Sequence, residues 1–166
     1  MTPTLSTALT QRLNCPYPII CAGMGGPARA ELAAAVSEAG GFGLLGMVRE
    51  SPALIAREIA EVRRRTEKPF GVNLIPFATE PKLLQDELAV CLEQRVPAMC
   101  FFWDVYPEVV AQAKNAGCLV LYQVGSLDDA LRAEAAGADV IILQGVEAGG
   151  HVRAPLPLTV LVAQVA

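Results

Sequence analysis

The sequence predicts an α/β fold in which helices cover both faces of a parallel sheet. Three observations carry that prediction. Short apolar runs such as residues 138–143 stack β-branched residues without polar alternation, as strands buried on both faces do. The apolar 53% of the chain is mostly Ala, Val, Leu and Ile, with only 5% aromatic residues. Finally, Ala39-Gly40, Ala116-Gly117 and Ala136-Gly137 each separate a helix-forming stretch from a following apolar run. Glycine suits the left-handed residue that ends a helix, so this weak repeat marks successive α-to-β junctions.

Taken in order, residues 18–22 form the first expected strand, closed by the glycine loop Gly23-Met24-Gly25-Gly26-Pro27. Pro27 and Glu31 favour the start of a helix over 28–39. Strand two covers 42–45. Ser51 is an N-cap with Pro52 at the first helical position, opening a helix that runs to Arg65. Strand three is 70–74, and Pro81 begins a helix through Gln94. Strand four is 98–102, helix four 107–116, strand five 119–124. Ser126 caps helix five, which Gly137 ends. Strand six is 138–143, and a sixth helix begins at Leu158. No linker, charge block or low-complexity tract interrupts this pattern, so residues 1–166 form a single domain. Six β/α units suit an open doubly wound sheet, whereas a (β/α)₈ barrel needs eight units and typically about 250 residues. The last helix carries no terminating signal, which reads as a C-terminal truncation.

Composition excludes several classes. The net charge of −4 leaves no basic footprint, and Arg63-Arg64-Arg65 ends a helix, where cations suit the dipole. Nucleic acid is therefore not an expected partner. The five cysteines, Cys15, Cys21, Cys91, Cys100 and Cys118, form no CxxC pair and have one histidine between them. Reduced buried thiols are expected, with no metal site. Neither a secretory leader nor a membrane-length apolar run is present in the sequence, so a cytosolic protein is expected.

The polar chemistry gathers at strand exits, where α/β enzymes hold their reactive groups. Here lie Gly23 and Met24, Asn73, Trp103, Gln123, Gln144, and the only histidine, His151, within Leu143-Gln144-Gly145-Val146-Glu147-Ala148-Gly149-Gly150-His151. Glycines after a strand allow sharp turns and close approach of backbone to a ligand. An imidazole there can donate or accept a proton near neutral pH. Asn73 and Gln123 can bond a ligand or merely settle a turn, and Phe101-Phe102 read as core. Gly23-x-Gly25-x-x-Ala28 also fits a dinucleotide fingerprint, but no acid follows strand two early enough to hold a ribose.

The loops AGMGG after strand one, AGGFG before strand two, KPFGVNL at strand three and QGVEAGGH after strand six resemble the nitronate monooxygenase family, FMN-dependent TIM-barrel flavoproteins once called 2-nitropropane dioxygenases. The related enoyl-acyl-carrier-protein reductases share the last motif, and quinone reductases of the same superfamily are close. The resemblance implies a TIM-barrel (β/α)n fold with about six of its eight units, an incomplete barrel, and FMN as cofactor. It implies that Ala22, Gly23, Met24 and Asn73 contact the flavin. Gln123, Gln144, Gly145, Gly149 and Gly150 would line its ring, and His151 would be the catalytic acid/base. The implied activity is oxidation of an alkyl nitronate or nitroalkane with O2 to a carbonyl compound and nitrite. The alternatives are NAD(P)H-dependent flavin reduction, or an inactive remnant or interaction module. The family's last two units supply the phosphate grip, and no comparable glycine-rich element follows His151. Such an unclosed barrel is expected to favour self-association through its strand edges.

Overall fold

A computed structural model describes residues 5–166. Five parallel strands form one sheet in sequential order: β1 (Gly43–Gly46), β2 (Phe70–Leu74), β3 (Ala98–Phe102), β4 (Leu119–Val124) and β5 (Val140–Leu143). Seven helices accompany them: α1 (Ala8–Leu13), α2 (Ala30–Glu38), α3 (Pro52–Arg65), α4 (Pro81–Glu93), α5 (Pro107–Asn115), α6 (Leu127–Ala135) and α7 (Leu158–Val165). A doubly wound sheet reverses its strand order at a switch point. Here every strand pairs with the next one in the chain, the order of a (β/α)n barrel. The fold is therefore a partial TIM-type barrel.

The first expected strand is corrected. Residues 18–22 contribute a single parallel bridge, Ile20 with Phe42, because Pro18 has no N–H to donate and the Ile19 N–H is spent elsewhere. The chain also turns beforehand, with Ile19 N–H donating to Tyr17 O. Only Phe42 N–H to Ile19 O (2.8 Å) and Cys21 N–H to Phe42 O (2.9 Å) tie the segment to β1. The remaining strands and helices fall within a few residues of expectation. Gly40, Gly117 and Gly137, with φ of 95°, 82° and 98°, sit just beyond α2, α5 and α6 as left-handed terminators.

Strand alternation divides the core in two. Leu45, Val72, Leu74, Met99, Phe101, Val120 and Tyr122 face the helices. Phe42, Leu44, Ala98, Cys100 and Leu121 face the other way, where Leu13 and Cys15 at the end of α1 cover them. α1 itself was not expected. Thr7 caps it, accepting from Thr10 N–H while the Thr10 hydroxyl accepts from Thr7 N–H. Arg12 then donates to Asp139 O at 2.8 Å, tying α1 to the start of β5. This plug closes the N-terminal end of the strands and leaves their C-terminal ends to the loops. The cysteines are free thiols, and burial pushes Cys91 and Cys100 up to about 12. None of the described helices is long and apolar enough to cross a membrane.

Candidate functional site

At the strand exits the first glycine loop lies directly over β1 and β2. A Cβ on Gly23 would overlap the Asn73 side chain, and one on Gly46 would overlap the Met24 carbonyl. These two glycines let backbone pass where any side chain would block it. Asn73 is buried, and its Nδ2 donates to Cys100 O at 3.1 Å, joining the exits of β2 and β3. Ala22 and Met24 stay exposed, as do Gly25 and Gly26, which have open space around them. The structure thus brings Gly23, Met24 and Asn73 together.

Gln123, near the end of β4, is half-buried and registers with Phe102 of β3 and Ile142 of β5. It stands on the same strand face as Asn73. Gln144 has another task. It is 6% exposed, its Nε2 donates to His151 O at 2.9 Å, and its Oε1 accepts from Arg153 N–H at 2.9 Å. Both ends of the amide are spent on the loop that carries His151, so its primary role here is to clamp that loop. Gly145 is buried against Leu158 and Glu147, whose carboxylate accepts from Leu158 N–H at the start of α7. Gly149, Gly150 (φ 75°) and His151 are exposed, with open space around both glycines. Ala154 packs onto Gly125, where a Cβ would sit 2.8 Å from the Ala154 nitrogen.

Sequence reasoning missed the group that braces this loop. The Arg153 guanidinium lies 2.7 Å from Asp104 Oδ1 and 3.1 Å from Asp129 Oδ2. The hydrogen bonds it donates to the Asp129 carboxylate hold its pKa above the ordinary value, against the effect of burial. Arg153 also lies 5.8 Å from the centroid of Trp103. Trp103 has φ of 84°, a region bulky residues rarely adopt. Such a conformation costs on the order of 1–3 kcal/mol and persists only where its surroundings dictate it. Nothing in the local sequence signals this strain. The only cue to Arg153 is its position two residues after His151.

A second buried carboxylate holds the β1 exit. Glu87 of α4 is fully buried and accepts from Glu50 N–H at 2.9 Å through Oε1, while Oε2 has no partner. Arg29 pairs with the Glu50 side chain.

The residues present suit a planar heteroaromatic ring. Open backbone at Gly25 and Gly26 in one strand-exit loop and at Gly149 and Gly150 in another accompanies a half-buried amide, Gln123, near the exit of β4. Arg153, by contrast, is committed to two carboxylates, so it does not stand free for a phosphate.

The chain is 38% identical to FabK from Thermotoga maritima, with a TM-score of 0.91 over 98% of this chain and 51% of that one. A nitroalkane oxidase from Streptomyces ansochromogenes is 33% identical, with a TM-score of 0.82 over 96% of this chain and 57% of that one. A probable nitronate monooxygenase from Staphylococcus haemolyticus is 32% identical over 86% of this chain and 49% of its own length. The chain spans about half the length of the curated relatives it matches. The sequence profile described as "Nitronate monooxygenase" matches residues 6–86 and 76–166. The chain belongs to the nitronate monooxygenase family of flavin-dependent oxidoreductases.

Proposed function

We propose that this chain forms the ring-binding part of an FMN-dependent, NAD(P)H-oxidising reductase of the enoyl-acyl-carrier-protein or quinone reductase type. The observation that carries the reading is the closer likeness to FabK, at TM-score 0.91 and 38% identity, than to the nitroalkane oxidase, at 0.82 and 33%. Nitronate oxidation with O2 is the second reading, favoured by the probable nitronate monooxygenase that matches 86% of the chain.

Bound FMN would supply a relay for hydride between NAD(P)H and an acceptor. The protein's own contribution is placement and a proton. Backbone at Ala22, Gly23 and Met24, with Asn73 and Gln123, would hold one edge of the ring. Gly145, Gly149 and Gly150 would let the second loop close over it. His151 would give a proton to the acceptor as hydride arrives, so that one hydride and one proton add across an activated double bond or a quinone. Gln144 fixes the height of that imidazole by holding the His151 carbonyl. Under the second reading the same imidazole would take the α-proton of a nitroalkane or bind its anion.

Anaerobic mixing of the FMN-loaded chain with NADH and, separately, with an alkyl nitronate distinguishes the two. NADH should bleach the flavin band within the turnover time. Bleaching by nitronate alone would overturn the reductase reading. In the same loaded sample, His151→Ala should lower turnover by roughly 10²–10⁴-fold, the usual worth of a positioned acid or base. Its flavin content should stay unchanged, and full activity in that variant would remove His151 from the mechanism.

A further inference from the structure

The strand-exit end carries an aromatic wall outside the residues assigned above to the flavin. Phe77 follows β2 in the 3₁₀ turn Pro76–Ala78, and its ring stacks on Trp103 just beyond β3, with centroids 5.6 Å apart and planes 14° apart. Phe102 meets the same indole edge-on at 5.3 Å and 78°. Phe77 is 54% exposed even though the indole covers part of it. An aromatic ring held in register and left open to solvent is poised to stack on another flat group.

The charges around this wall narrow what that group is. Arg153 lies over Trp103, and its guanidinium is already paired with Asp104 and Asp129. One cation against two carboxylates leaves the wall formally negative. An anionic ligand would meet repulsion there, whereas an uncharged conjugated group would meet apolar rings and pay no charge desolvation.

We propose that Phe77 and Trp103 form a substrate subsite for the uncharged, conjugated part of the electron acceptor, such as a quinone ring or an enoyl thioester, and that this subsite disfavours small anions. The inference rests on the reductase reading for the word acceptor. The wall itself is independent of it. Arg153 ties the subsite to the catalytic loop, since its backbone N–H is held by the same Gln144 that holds His151.

Trp103 is the only tryptophan of the chain, so its emission reports the wall directly. The full chain without flavin is titrated with menadione as the uncharged planar probe and with propane-2-nitronate as the anion. Menadione should give saturable quenching. Phe77→Ala should weaken that binding about tenfold, the worth of one aromatic stacking contact, and Phe77→Tyr should restore it. Nitronate should give no saturable change. Equal menadione affinity in parent and Phe77→Ala, or tighter binding of nitronate than of menadione, would overturn the subsite. Because Phe77 is exposed, its removal leaves the core intact, and the Phe77→Tyr arm separates ring loss from misfolding. The readout needs neither flavin nor turnover. Saturable binding without NADH oxidation would sink the reductase reading alone, and turnover without Phe77-dependent binding would sink the subsite alone.

Discussion

Replacing Glu87 with glutamine tests how the β1 exit is held. The carboxyl is fully buried, accepts one N–H from Glu50 and leaves Oε2 without a partner. Burial raises its pKa from 4.5 to about 7, and the neighbouring Glu50 carboxylate adds to the rise. The backbone N–H groups of Glu50 and Arg49 pull the other way and lose. The folded protein therefore keeps this proton at pH values where the unfolded chain has released it. Stability from this group is complete below about 4.5, falls as the pH climbs toward 7, and is flat above that. The separation corresponds to about 3 kcal/mol at pH 8, as an order of magnitude. Glu87→Gln keeps an acceptor for the Glu50 N–H and removes the titration. Urea unfolding between pH 4.5 and pH 8 should show the variant gaining on the parent as pH rises, and exceeding it at pH 8. Parallel stability curves for the two proteins would refute the reasoning, because they would mean that Glu87 titrates alike folded and unfolded.

Three further perturbations probe other parts of the frame. Gly46→Ala forces a methyl into the Met24 carbonyl. Thermal unfolding should register a loss of about 1–3 kcal/mol, and FMN retention on desalting should drop with it. Gln144→Leu keeps the volume but removes both loop bonds, at a cost of about 1–3 kcal/mol. Amide exchange over residues 145–157 should quicken while that of α3 stays as it was. Asp139→Asn removes a carboxylate held by Lys114 at 2.6 Å, Val120 N–H at 2.9 Å and Arg12 at 3.5 Å. Burial alone would raise that acid, and these partners outweigh it, so its pKa lies below the ordinary value. A lowered folded pKa stabilises above the unfolded value and is lost as pH falls. The variant should therefore unfold at lower urea than the parent at pH 7, with the gap closing in acid.

The sheet was legible where strands are buried on both faces. β2, β3 and β4 coincide with the largely apolar runs at 70–74, 98–102 and 119–124, since one face of each packs on the helices and the other on the inner core. The segment at 18–22 has the same apolar look, but Pro18 lacks a donor and Ile19 spends its N–H on Tyr17, and composition alone does not show how few bonds remain. α1 went unseen because its capping box closes with Thr10 where a glutamate or glutamine would be the usual cue. At the site, the glycines announced themselves, because a missing Cβ is a statement about local space. Gln144 did not. Its amide answers to backbone groups seven and nine residues further on, whose positions depend on the whole loop. Arg153 joins Asp104 and Asp129, which lie on other units and come close only once the strands are aligned.

The neighbour-to-neighbour strand order also bears on how the chain is made. Gly43 registers with Phe70, 27 residues on, and Gly71 with Ala98 at the same interval; Ala98 meets Leu119 after 21 and Leu121 meets Val140 after 19. No described strand waits for a distant partner, so loop closure costs stay small and nearly equal at each step. During synthesis each new strand meets a template already laid down by the one before it. Such an order allows the sheet to be extended strand by strand, whereas the bond from Arg12 to Asp139 can form only once the start of β5 is in place. That contact spans 127 residues and ties the first described helix to the start of the last described strand.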